Sequence, residues 1–133
     1  MLSHLRRNNP FNINDKSQLG LYDLGYEPFY QLLRITLLAR ITTPIKIKDY
    51  LVEDYRVLHL THSHNKKLNI LAEKHTINTP GLRNETGKQL HDVWANTILS
   101  PAERNHFKSG YWDKCLDRLT DSKLKQYLIE RYY

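Results

Sequence analysis

Seven histidines and a single cysteine are the residues of this chain with the most specific chemistry. His59, His62 and His64 fall close together, and imidazole is a common ligand for zinc or copper; on a helix His59 and His62 would share a face. A structural zinc site wants four ligands, usually including thiolates, and Cys115 stands alone, so the three are read as polar surface histidines with no metal bound. His62, His64 and His75 are equally suited to contact an anion, more strongly below neutral pH. Cys115 falls on an apolar helical stripe with Phe107, Tyr111, Leu116 and Leu119 and is read as a buried, inert thiol. The sequence contains no paired carboxylates in a Gly-bounded site, no Ser-His-Asp order and no phosphate loop. Neither a catalytic residue nor a cofactor is therefore assigned, and the expectation is a protein that binds rather than one that catalyses.

The densest positive charge lies between His62 and His91, where Lys66, Lys67, Lys74, Arg83 and Lys88 are set against Glu73 and Glu85. Within it, Leu71-Ala72-Glu73-Lys74-His75-Thr76-Ile77-Asn78 followed by Thr79-Pro80-Gly81-Leu82-Arg83 resembles a helix-turn-helix. In that resemblance small Ala72 lets the second helix approach, Ile77 closes the turn and Leu82 anchors a recognition helix. It implies that residues 65–90 bind DNA, with Thr79 at the groove, Arg83 and Asn84 on base edges, and Lys74 and Lys88 on phosphates. The pattern departs from the family at Thr76, where glycine is preferred, and at Glu85, where a buried aliphatic residue is usual. The plainer alternative is a helix, a loop holding Asn78, Pro80 and Gly81, and a further helix.

Positioning these residues falls to helices. Five Gly and five Pro in 133 residues leave few turns, which disfavours a many-stranded sheet. Residues 1–27 read as an N-terminal arm, since the Asn, Asp and Gly after Pro10 show no sustained period and no core of their own. From Pro28, a good first helical residue, Phe29, Leu32, Leu33, Leu37 and Ile41 recur at spacings of three and four until Thr42-Thr43-Pro44 stop the helix. Tyr30 and Leu38 lie off that stripe, so this helix is expected to be covered on more than one side. Thr43 would cap a second helix running toward His64, with Pro44 in its first turn and Ile47, Tyr50, Leu51, Tyr55 and Leu58 as its stripe. Alternating Ile45-Lys46-Ile47-Lys48 is the one local hint of a strand. Another helix starts near Asn65, and Leu90, Val93, Trp94, Thr97 and Ile98 mark the next, with Trp94 in the core. Ser100-Pro101-Ala102-Glu103 is a capping box that opens a helix through Leu119. Asp121 caps a last helix with Leu124, Tyr127, Leu128 and Tyr132 on one side. The expected fold is all-α: one small domain, residues 28–133, built as a bundle of about five helices, with the arm laid upon something.

Charge is spread evenly. Residues 1–44 carry five Lys or Arg against three acids, residues 45–100 eight against six, and residues 101–133 seven against five. The total of +6 suits an anionic partner such as DNA, RNA or an acidic lipid surface, yet a dedicated phosphate-binding face concentrates its charge. Nine tyrosines and two tryptophans suit surfaces that are half packed and half polar, as protein interfaces are. No apolar run reaches the roughly 18 residues of a membrane-spanning helix. The single cysteine points to an intracellular, reducing compartment. Leu2, Leu5, Arg6 and Arg7, ahead of any acid, resemble the opening of a mitochondrial targeting segment, the plainer alternative being a basic solvated terminus. Phe29-Tyr30-Gln31-Leu32-Leu33-Arg34, followed by Lys48-Asp49-Tyr50-Leu51 to Tyr55-Arg56, faintly resembles the small mitochondrial proteins with a Leu-Tyr-Arg motif on a helical hairpin, which serve respiratory complexes. The motif's arginine is Gln31 here, and the family's residues are not transferred. Together these readings favour a non-enzymatic accessory subunit of a larger multi-protein assembly, such as a mitochondrial respiratory complex or ribosome, with other protein subunits as partners. The alternative is a helix-turn-helix DNA-binding protein.

Overall fold

An apolar helix, a double threonine and an alternating Ile-Lys-Ile set the course of the first half of the chain. The computed structural model describes residues 9–13 and 18–132, the side chain of Tyr132 excepted, so the basic start with Arg6 and Arg7 lies outside the described residues. Helix α1, Phe29–Thr42, forms where its period predicts. It ends because Thr42 and Thr43 donate their hydroxyls back to the carbonyls of Leu38 and Ala39, each at 2.8 Å. Thr43 is itself extended, with φ −100° and ψ 133°, so it closes α1 instead of capping a second helix. A hairpin follows: β1 (Ile45–Ile47) and β2 (Tyr50–Val52) are antiparallel, with Ile45 opposite Val52 and Ile47 opposite Tyr50. Two-residue hairpin loops need positive φ, and Lys48 supplies it at 54°. The helical stripe drawn through Ile47, Tyr50, Leu51, Tyr55 and Leu58 does not exist, and the helical hairpin implied by the Leu-Tyr-Arg resemblance goes with it.

Strand β3 (Val57–Thr61) pairs in parallel with β4 (Phe107–Tyr111), Val57 opposite Phe107 and Thr61 opposite Tyr111. Val57 and Thr61 are buried, His59 is half-buried, and Leu58 and Leu60 face outward. That is the period-two burial of a strand, hidden in the hydropathy because the outward positions are leucines. The expected all-α bundle is therefore corrected to a mixture of helices with one antiparallel and one parallel strand pair. The crossing from β3 to β4 carries α2 (Lys66–Asn69), α3 (Glu73–Thr76), a 3-10 turn at Pro80–Glu85, and α4 (Leu90–Asp92). Helix α4 widens into a π-helical turn at Val93–Ile98, and a further 3-10 turn spans Glu103–His106. The capping motif at Ser100 forms locally, with the Glu103 N–H 3.0 Å from the Ser100 carbonyl and 3.4 Å from its hydroxyl. It opens only that last turn, after which Phe107 and Tyr111 lie on a strand and not on the expected helix. Helices α5 (Trp112–Leu116) and α6 (Ser122–Tyr132) complete the chain. Asp121 caps α6 as expected, its carboxylate accepting from the N–H groups of Lys123 and Leu124 at 3.0 Å. Cys115, expected in the core, is exposed, because α5 turns Asp113 and Leu116 inward.

Trp94 is the centre of the core. It is fully buried, stacked on Phe29 at 5.9 Å and 13° and edge-on to Phe11 at 5.9 Å and 63°. Leu24, Leu32, Leu71, Leu82, Leu90 and Leu99 pack in the same cluster. The Trp94 indole N–H has no hydrogen-bond partner among the described residues, which costs about 1–3 kcal/mol. Burying a ring of roughly 200 Å² at about 25 cal/mol/Å² contributes about 5 kcal/mol, so packing outweighs the unmet donor. Phe11 reaches this cluster because the arm pairs with the domain: Phe11 bridges Leu99, and the Ser100 N–H donates to the Pro10 carbonyl at 2.8 Å. Leu19 and Leu24 follow it into the core, so the described part of the arm lies on the chain's own domain. Glu103 is the buried tie between α1 and the later segments, bonding Arg40 at 2.7 Å and accepting from the Tyr55 hydroxyl.

Candidate functional site

Residues 71–88, the stretch with the pattern of a helix-turn-helix, form a loop pinched at its base. The Leu71 N–H donates to the Lys88 carbonyl at 3.0 Å, the Gly87 N–H donates to the Leu71 carbonyl at 2.7 Å, and Ile70 bridges Gln89. Gly87 turns the chain back in the left-handed region, with φ 87°. Leu71 and Leu82 anchor the loop in the core, while Ile77, expected to close a turn, is exposed. Thr79, nominated to face a groove, is fully buried and donates its hydroxyl to the His75 carbonyl at 3.0 Å. Thr76, standing where the family prefers glycine, is also buried, 2.8 Å from the Thr86 hydroxyl. Lys74, Arg83, Asn84 and Lys88 are exposed, but they do not share a helix. Lys74 is on the four-residue α3, Arg83 and Asn84 are on the six-residue 3-10 turn, and Lys88 lies beyond it, 2.9 Å from Glu85. The arm covers the turn itself: a Cβ on Gly81 would sit 2.4 Å from the Asp23 carboxylate and 2.6 Å from the Gln18 carbonyl.

The turn after β3 is shaped by two buried polar side chains. The Asn69 amide donates to the carbonyls of His62 and Ser63 at 2.8 and 3.2 Å and accepts from the Thr61 hydroxyl at 2.6 Å. Asp113 on α5 accepts from the Ser63 N–H at 2.8 Å and from its hydroxyl at 2.5 Å. Burial pushes the Asp113 carboxyl up, but the two Ser63 hydrogen bonds, its own backbone N–H and nearby His62 together hold the group below its ordinary range. With its proton committed to that carboxylate, the Ser63 hydroxyl anchors the turn. Above it, His62, His64, Asn65, Lys66 and Lys67 line a shallow cleft of about 510 Å³. The His62 ring accepts the His64 N–H on Nδ1 at 3.1 Å and sits edge-on to Trp112 at 4.9 Å. Sequence reading found the cations of this turn but not its foundation, because Ser63 and Asp113 are 50 residues apart.

His59 does not share a helical face with His62. It lies on β3 and meets His91 of α4, with Nδ1 and Nε2 2.9 Å apart. A hydrogen bond between two imidazoles needs at least one neutral ring. Burial lowers the pKa of both, assisted at His59 by the neighbouring His91 and opposed at His91 by Asp92. The rings of Phe107 and Tyr111 stand 6.4 and 6.1 Å from His91, so the pair is a strut between β3 and α4 beside β4. Among the described residues no group of three or more His, Cys, Asp or Glu is placed to hold a metal ion.

Most of the remaining unusual surface is apolar. Helix α1 buries Phe29, Leu32 and Thr36 while Tyr30, Ile35, Leu38 and Ile41 face outward. Ile41, assigned by spacing to the buried stripe, is 71% exposed. Directly beyond it Ile45, Ile47, Tyr50 and Leu51 are exposed on the hairpin, Tyr50 at 76%, and neither strand has a further neighbour among the described residues. Leu58 and Leu60 on β3, and Leu124, Tyr127 and Ile129 on α6, add to the uncovered area. Among the described residues no helix is long and apolar enough to cross a membrane. No protein-family model matches this chain, nor does any curated protein or solved structure. Its function is therefore argued from these surfaces alone.

Proposed function

We propose that this protein is a non-catalytic subunit of a larger protein assembly, bound through the outer side of α1 and the β1–β2 hairpin. The observation that carries this reading is the hairpin, whose β1 side chains are all exposed. A two-stranded hairpin with neither a third strand nor a covering helix is marginally stable at best in water. Tyr30, Ile35, Leu38 and Ile41 are exposed on α1, and Ile45, Ile47 and Tyr50 are exposed on one face of the hairpin, while Leu51, opposite Lys46, projects from the other. These side chains are 41–76% exposed, so covering those that can share one surface is worth about four full side chains, roughly 6–12 kcal/mol at about 1.5–3 kcal/mol each, against an association cost of about 4–15 kcal/mol. The hairpin's share, roughly 3–5 kcal/mol, lies at the bottom of that range, and only hairpin and helix together are comparable with the cost. Monomeric proteins rarely leave such an area open. The exposed, unpaired Cys115 suits a reducing compartment, where a surface thiol stays reduced. The helix-turn-helix alternative draws no support from a buried Thr79 and a six-residue turn at Pro80–Glu85.

Size measurement of the native protein in extracts of its source cells tests the proposal. The wild-type chain is expected to elute far above the size of a free 133-residue protein, and an Ile41→Glu/Tyr50→Glu variant with an unchanged circular dichroism spectrum is expected to elute as the free chain. A wild-type protein that elutes as a free monomer overturns it.

A further inference from the structure

The turn from His62 to Lys67 is independent of the apolar surface and has the opposite chemistry. We propose that its cleft binds the phosphate of a nucleotide-sized ligand. Lys66 and Lys67 are exposed, and neither makes an ion pair among the described residues. All five residues lining the cleft are His, Asn or Lys, and no carboxylate is among them. Asp113 lies beneath the turn, bonded by the N–H and hydroxyl of Ser63 at 2.8 and 2.5 Å and close enough to act on His62, and its negative charge opposes an anion, so the two lysines must outweigh it. The Asn65 side-chain oxygen accepts the Leu68 N–H at 3.3 Å, which leaves the amide N–H groups of Asn65 as donors. Helix α2 has only four residues, so the anion is held by side chains and not by a helix field.

The backbone beneath these groups is fixed before any ligand arrives. Asn69 holds the His62 and Ser63 carbonyls, and the Lys66 N–H donates to the His64 carbonyl at 2.9 Å. A preorganised turn loses little freedom on binding, which favours a small ligand over one that must reshape the site. The cleft, about 510 Å³ and open to solvent, is wider than a lone phosphate and leaves room for a group attached to it. The His62 ring, edge-on to Trp112 at 4.9 Å and tilted against the His64 ring 5.4 Å away, offers a ring edge against which a base or sugar can pack. A nucleic-acid strand is the weaker fit, because a tracking groove needs a stripe of cations, whereas each third of this chain carries the same small excess.

Amide correlation spectra of the full ¹⁵N-labelled chain, titrated at constant ionic strength with pyrophosphate, with ATP and with single-stranded RNA, test the proposal. Pyrophosphate and ATP are both expected to shift the amides of residues 62–69, and ATP alone the indole N–H of Trp112. Lys66→Ala/Lys67→Ala is expected to weaken both about tenfold or more with the rest of the spectrum unmoved, whereas Lys46→Ala/Lys123→Ala leaves them unchanged. Shifts spread over lysines across the surface, or a Lys66→Ala/Lys67→Ala variant that binds like the wild type, overturn it. RNA binding at these amides tighter than ATP also overturns it, replacing the small ligand with a strand.

Discussion

Replacing Glu103 by alanine should cost this protein about 4–5 kcal/mol, because one buried carboxylate ties α1 to two later segments. Its Oε2 lies 2.7 Å from Arg40 of α1, and its Oε1 accepts the hydroxyl of Tyr55, whose ring stacks on His106 at 4.5 Å and 18°. Hydrogen bonds to a charged group contribute about 1.5–3 kcal/mol each. Arg40 is 34% exposed and can turn to water, so its bond counts at the low end of that range, while the lost methylene adds about 1 kcal/mol. For 133 residues the unfolding entropy near 60 °C is about 0.28 kcal/mol/K, so Tm should fall by roughly 14–18 °C. Tyr55→Phe removes one bond and should lower Tm by roughly 5 °C, and the double variant should fall by less than the two added, since both break one network. The phenol gives a second readout. Burial, then the bond to Glu103, pushes the Tyr55 pKa up to about 12, and in Glu103→Ala it should move back toward about 10. Because the folded state holds this proton more tightly than the unfolded one, the stability it contributes is complete below about pH 10 and is lost as pH rises through about 12. Calorimetry and ultraviolet titration of the three variants measure both effects. A Tm loss under about 3 °C for Glu103→Ala, or a phenol that still titrates at about 12, refutes the account.

Two further outcomes follow from named contacts. His59 and His91 are both held below the ordinary histidine range by burial, so the unfolded chain binds their protons first. The strut's contribution is therefore present above about pH 6.5 and lost as pH falls through the lowered folded values. Urea midpoints measured across that window should fall on acidification, and a His59→Gln/His91→Gln variant should flatten the slope; an equal slope in both proteins would show that the pair is not its source. Gly81→Ala should destabilise by about 1–3 kcal/mol through overpacking, since the new Cβ would meet the Asp23 carboxylate at 2.4 Å and the Leu19 Cα at 2.9 Å. Thermal unfolding measures it, and an unchanged Tm would mean that the arm does not pack on the 80–85 turn.

Elements that combine a period with a terminal signal were legible in the sequence. Helix α1 has its 3–4 spacing and a Thr-Thr-Pro stop, α6 has Asp121 as its cap, and the α4 segment has a period that places Trp94 inward. The strands were not legible. β3 and β4 pair in parallel across residues 57 to 107, and no local signal announces such a partner. The capping motif at Ser100 is present in atoms yet starts a single turn, because pairing of Phe107–Tyr111 with β3 overrides local helix propensity. The candidate sites divide the same way. Lys66, Lys67 and the histidines could be read off as a basic, imidazole-rich run, whereas the Asp113 and Asn69 side chains that fix the turn, and the His59–His91 contact, are properties of the fold.

The middle of the chain departs from its helical spacing for one physical reason, and it bears on function. Ile47, Tyr50, Leu51 and Leu58 have the spacing of a buried helical stripe, and Ile41 that of the buried face of α1. All five are exposed. Reading periodicity assumes that every large apolar residue serves the chain's own core. Here the inward residues of β3 are Val57, His59 and Thr61, and its outward ones are the leucines. Folding of this chain alone would favour the reverse assignment, since outward leucines gain nothing from burial in their own domain. Were the proposed surface covered by a partner, Leu38, Ile41, Ile47 and Tyr50 would gain the burial that the chain's own core does not give them. The polar His62–Lys67 turn has no such surplus of apolar side chains. Its buried Asn69 and Asp113 are spent on holding backbone in place, as a site for a small anion requires.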